Sequence, residues 1–169
     1  MRDIMKMELD QEQEYFCMFK EEYGNPCLSL KNLSFFCCKV LFLRAEEINW
    51  EANVWFTERL NISSERYSRS NAIESFSFLD IHFSKNRQSL QGYLKYLLTV
   101  TSLNLGTIRI HHTYIKEFLR FCEDSEKNIT DIEHRSVGDY LKNCLCSIFL
   151  PKVIITSYVL FRHFCIICK

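Results

Sequence analysis

Proline and glycine are scarce in this chain, at two and four among 169 residues. That scarcity argues against a turn-rich β fold and favours long regular elements, mostly helices. Net charge is also missing, since 21 basic side chains balance 21 acidic ones. Bulk electrostatics therefore give no pull toward nucleic acid, and any affinity for a polyanion has to come from how the charges are distributed. No apolar run reaches the about 20 residues that span a bilayer. The apolar tail at 153–167 is fifteen residues long and contains Arg162 and His163, and a central arginine costs about 2.5 kcal/mol or more in a membrane. Membrane insertion is not expected. The opening Met1-Arg-Asp-Ile-Met-Lys-Met-Glu-Leu-Asp10 is charged and has no h-region of a secretory signal. A cytoplasmic protein without a disulfide framework is expected, and the sequons at Asn32, Asn61 and Asn128 then carry no glycan.

Cysteine is what the chain has in plenty: nine residues, an odd number. Cys37-Cys38, Cys144-x-Cys146 and Cys165-x-x-Cys168 invite a zinc reading. Structural zinc favours two knuckles with two to four residues between the cysteines, and only Cys165 and Cys168 have that spacing. Cys144, Cys146 or His163 would have to complete such a site. Free thiols are the expectation, with no metal and no cofactor.

Hydrophobic residues make up 47% and aromatics 14%, ample for a core. Residues 1–74 form an N-terminal region of uncertain structure. It opens with an acidic segment of helical character (Glu8, Asp10, Glu12, Glu14, Glu21, Glu22), and Tyr23-Gly-Asn-Pro26 reads as a turn. The run Leu33-Ser-Phe-Phe-Cys-Cys-Lys-Val-Leu-Phe-Leu43 fits a buried strand or a buried helical segment, and periodicity does not separate them. Residues 52–61 mix aromatics with charges. Residues 63–75, rich in Ser, Arg and Asn, read as a linker or exposed loop, and 76–81 as a short apolar piece. From Arg87 a helix is clear: Leu90, Tyr93, Leu94, Leu97 and Leu98 stand at i, i+3, i+4, i+7 and i+8. Ser102-Leu-Asn-Leu-Gly106 breaks it. Residues 107–122 form the next helix, with Thr107 as its N-cap and Ile108, His111, Ile115, Phe118, Leu119 and Cys122 on one apolar side. A polar connector at 123–128 leads to a further helix with Val137, Tyr140 and Leu141 inward. Either Thr130-x-x-Glu133 or Ser136 marks its start.

Arg109, Lys116 and Arg120 follow a second line along the helix at 107–122, at steps of seven and four, with His112 and Thr113 nearby. This outer face is cationic. Such faces are most often merely solvated, so by itself it assigns no partner. His111 reads as a core histidine and His112 as the one able to reach a phosphate. Arg87, Lys95, Arg135 and Lys142 are weaker cationic candidates.

The ordered series Tyr93-Leu-Lys-Tyr-Leu-Leu98, Thr107-Ile-Arg109, Tyr114-Ile-Lys-Glu-Phe-Leu-Arg-Phe121, Ile129-Thr-Asp-Ile132, Arg135 and Asp139-Tyr-Leu141 resembles the N-terminal core-binding, SAM-like domain of tyrosine recombinases, the phage-integrase family. Val54-Trp-Phe-Thr-Glu-Arg-Leu-Asn-Ile62 is similar to the lead-in of some clostridial-type integrases. The resemblance covers about half of the chain. It implies a mainly α fold, a small SAM-like bundle of about four helices within 75–169, that clamps duplex DNA together with a downstream catalytic domain. Thr107, Arg109, His112, Lys116, Arg120, Arg135 and Lys142 become the DNA-contact candidates, and the implied partners are double-stranded DNA and other recombinase protomers. The family's catalytic arginines, lysine, histidine and tyrosine nucleophile have no counterparts before Lys169. Tyr114, Tyr140 and Tyr158 lack the arginines that stabilise a pentavalent phosphate. The expectation is a DNA-binding integrase module truncated before its catalytic domain, not an enzyme. Two other readings stand beside it: a helical structural or interaction protein, and a small membrane-associated protein anchored by its C-terminal tail.

Overall fold

A computed structural model describes residues 6, 9–24, 28–67, 73–127, 137–140 and 142. Over these residues the chain is mainly helical, with one two-stranded sheet. The elements are α1 (Leu9–Tyr23), α2 (Leu28–Arg44), β1 (Val54–Phe56), β2 (Ser75–Ser77), α3 (Ser84–Thr99) and α4 (Leu105–Asp124). Single 3-10 turns occupy Thr57–Arg59 and Ser64–Arg66, and residues 137–140 and 142 are helical. Two compact units result: Met1–Ser63 with Ile73–Asp80, and Ser64–Ala72 with Ile81–Lys169. The boundary read from the sequence, at 74/75, falls inside the segment that returns to the first unit.

In the first unit the acidic opening segment is helix α1. It ends at Gly24, whose φ of +86° suits a residue without a side chain, and whose N–H donates to the Lys20 carbonyl at 3.0 Å. The apolar run at 33–43 is helical, within α2. It packs on β1 and the turn after it. β1 pairs antiparallel with β2, with Val54 opposite Ser77, Trp55 opposite Phe76 and Phe56 opposite Ser75. Bonds from Phe78 N–H to the Asn53 carbonyl (2.9 Å) and from Thr57 N–H to the Glu74 carbonyl (3.0 Å) extend the pairing. Aromatic rings fill the centre. Trp55 meets Trp50 and Phe78 edge-on at 4.9 and 4.8 Å, and Phe56 meets Phe35 and Phe42 at 5.3 and 5.8 Å. The N-terminal region, of uncertain structure by sequence, thus has its own aromatic nucleus.

In the second unit α3 packs against α4. Leu90, Tyr93, Leu94, Leu97 and Leu98 are all buried, as their spacing predicts. Helix α4 starts at Leu105, two residues before the expected start. Its N-cap is Asn104, not Thr107: the Asn104 Oδ1 accepts from Gly106 N–H at 2.8 Å. Asparagine caps at least as well as threonine. Gly106 therefore belongs to the first helical turn rather than to the loop. A Cβ there would stand only 3.1 Å from the capping oxygen. Tyr140 is buried edge-on against Phe118 (5.2 Å) and tilted on Phe121 (5.4 Å), so it faces inward as read. Leu141, the choice between Thr130 and Ser136 as helix start, and the tail at 146–169 lie outside the described residues.

Candidate nucleic-acid interface

Helix α4 buries Leu105, Ile108, His112, Ile115, Phe118, Leu119 and Cys122. Alternating steps of three and four keep this line on one side of a 3.6-residue helix. The outer surface is left to Arg109, Ile110, Thr113, Glu117 and Arg120, all exposed, with Lys116 half-buried at the edge. At 100° per residue, Arg109, Lys116 and Arg120 fall within about 40° of arc and span about 16 Å of axis. The three cations therefore form one stripe. Thr113 lies beside them, its hydroxyl donating to the Arg109 carbonyl at 3.0 Å. Glu117 is exposed next to Lys116, and exposed Asp124 follows Arg120 by four residues, so the cationic stripe has acidic neighbours.

The other candidates do not join this stripe. Thr107 is exposed, but its wheel position is about 160° from Arg109. His112 is buried, 7% exposed, and cannot offer its ring to a phosphate. The two histidines exchange the roles read from the sequence: His111 is the half-exposed one, held by a 2.7 Å hydrogen bond between its Nδ1 and the Tyr93 hydroxyl. Both three- and four-residue steps continue from Ile108, and the capped start at Leu105 makes the four-residue step the inward one. Lys142 is exposed and lies 3.4 Å from Asp139 Oδ1, which partly neutralises it. Lys95 is exposed on α3. Arg87 is buried, with Nη1 donating to the Ile81 carbonyl at 3.1 Å, so it is a structural cation. Arg135 lies outside the described residues, as do Cys144, Cys146, His163, Cys165 and Cys168.

Two charged side chains that sequence reading passed over fix the stripe's platform. α3 has no side-chain N-cap of its own and no basic residue in its last turn. Glu123, at the end of α4, accepts from His82 N–H (2.8 Å), Phe83 N–H (3.1 Å) and the Asn86 side-chain amide (3.0 Å). Arg66 donates to the carbonyls of Leu103 (2.8 Å), Leu98 (2.7 Å) and Leu97 (3.0 Å). An anion thus sits at the positive end of α3 and a cation at its negative end, the arrangement the helix macrodipole favours. One signal for Glu123 was legible: an acid in the last turn of α4 is misplaced for that helix's own dipole.

No protein-family model, curated protein or solved structure matches the chain. The likeness to recombinases rests on the residue series alone. Among the described residues no group of three or more His, Cys, Asp or Glu is placed to hold a metal ion, and no helix is long and apolar enough to cross a membrane. Cys17 is exposed, Cys37 and Cys38 are half-buried and Cys122 is buried, and none of these four is in a disulfide.

Proposed function

We propose that the second unit is a DNA-backbone-binding module of the tyrosine recombinase type, a SAM-like bundle of about four helices serving DNA integration and recombination without strand-transfer chemistry of its own. The observation that carries this reading is the stripe of Arg109, Lys116 and Arg120 on a helix whose partner is capped at both ends. The ordered residue series from Tyr93 to Leu141 supports it. Arginine and lysine stems reach phosphate oxygens, with Thr113 as a short polar neighbour, and contacts of this kind position a protein on duplex DNA without reading bases. Arg135 and Lys142 are secondary contacts in this reading, and His112 supports the helix from inside.

Salt titration of duplex binding tests it. Three phosphate contacts give a log–log slope of about −2.7. Arg109→Glu combined with Lys116→Glu weakens binding by about tenfold or more and flattens the slope by about two. A slope near zero, or unchanged binding by the double variant, overturns the proposal. The second reading, a helical interaction protein, is favoured by the exposed Leu33, Phe36 and Leu41 of α2. It predicts that flat slope.

A further inference from the structure

Helices α1 and α2 of the first unit leave apolar surface in the open. On α2, Leu33, Phe36 and Leu41 are exposed, Phe36 at 61%, with half-buried Cys37 and Val40 between them. Helical spacing puts Leu33, Phe36, Cys37 and Val40 on one side, at i, i+3, i+4 and i+7. That side is distinct from the one where Phe42 and Phe35 meet the Phe56 ring. On α1, Tyr15 and Met18 stand exposed three residues apart, Met18 at 58%. Of the described α1 side chains only Phe19 is partly covered.

The two helices also differ in charge. α1 holds five acids (Asp10, Glu12, Glu14, Glu21, Glu22) against one base, Lys20, a balance of −4. α2 holds three bases (Lys31, Lys39, Arg44) and no acid, a balance of +3. Lys39 is engaged at 2.6 Å by Glu58. The helices are thus complementary in sign as well as in apolar character. Among the described side chains, Tyr15 and Met18 of α1 and Leu33 and Phe36 of α2 all remain exposed within one chain.

We propose that this surface is a self-association site, in which the acidic α1 of one copy lies on the apolar, basic face of α2 of a second copy. A two-fold arrangement makes the exchange twice, so each copy supplies both halves and the interface closes. Four helices then share an apolar interior, the solution that α-hairpins reach in bundle dimers. Exposed aromatic and aliphatic patches of this kind are uncommon on monomers. The proposal concerns the first unit and needs no DNA, so it stands or falls separately from the phosphate stripe on α4.

Sedimentation equilibrium of the full chain across a concentration series is the test. The mass should rise from 20.2 kDa toward twice that value. Phe36→Glu should weaken association at least tenfold, and Glu14→Lys with Glu21→Lys severalfold, with circular dichroism unchanged. Met18→Glu, on the other helix, repeats the test should Phe36→Glu fold poorly. A chain that stays monomeric throughout the series overturns the proposal, as does a dimer indifferent to both Phe36→Glu and Met18→Glu. Phe36-dependent binding to phosphatidylcholine vesicles by a monomeric chain also overturns it, and names a lipid surface as the occupant.

Discussion

Helices α2 and α4 are both long and rich in aliphatic and aromatic residues, yet they are covered very differently. α4 gathers seven buried positions on one side and keeps its charges on the other. α2 buries only Phe42 fully among its described residues, and Leu33, Phe36 and Leu41 stand in the open. Apolar residues occur all around α2, and one small sheet covers only one side of it. Burial follows the arrangement of apolar residues around the helix, not their number.

The comparison breaks first at its two phenylalanines. Phe118→Ala should destabilise the second unit by about 3–5 kcal/mol. Phe36→Ala should change stability by less than about 0.5 kcal/mol when measured on dilute monomer. Urea unfolding with equal losses for the two would end the contrast. The caps come next in size. Arg66→Ala removes charge-assisted bonds to three carbonyls and should cost about 2–3 kcal/mol, with amide exchange accelerated at the end of α3. Glu123→Gln keeps the shape but loses the charge at the start of α3, for about 1 kcal/mol. A silent Arg66→Ala would show that α3 needs no help at its end.

The smallest effect lies on the covered side of α2. A hydrogen bond to Glu58 raises Lys39 above its ordinary value of 10.5 against the opposing effect of desolvation, with the charges of Glu58 and Glu74 adding to the rise, and the ammonium also sits 5.8 Å from the centre of the Phe56 ring. A raised folded pKa means that the contribution is present below the unfolded value and disappears as pH rises through the folded one. Stability measured on either side of that range should fall slightly more in the parent than in Lys39→Met. The pair is part-exposed, so the difference is small.

Helices α3 and α4 were legible because Leu90 to Leu98 and Ile108 to Cys122 repeat at helical steps. The start of α4 was not, because Asn104 and Thr107 are both good caps three residues apart, and that ambiguity carried into the order of His111 and His112. The sheet was hidden for a different reason. β1 is three residues long with every side chain buried, so it shows no alternation. The cationic stripe was visible as spacing, but its platform was not: Arg66 lies 31 to 37 residues from the carbonyls it holds. One faint local sign exists. Thr57-Glu-Arg59 and Ser64-Glu-Arg66 are near-identical triplets, each a 3-10 turn ending in an arginine. Arg59 donates to the carbonyls of Ala45 and Glu46, just past α2, as Arg66 does for α3.

The return of residues 73–80 to the first unit has a genetic consequence. The chain crosses between its units more than once, with Ser64–Ala72 on one side and Ile73–Asp80 on the other. No single breakpoint in the coding sequence lifts out either unit intact. A break before residue 64 strips Phe76 and Phe78 of their β1 partner, and one after residue 80 strands Arg66 away from α3. A gene fusion that kept either unit whole would have to carry both.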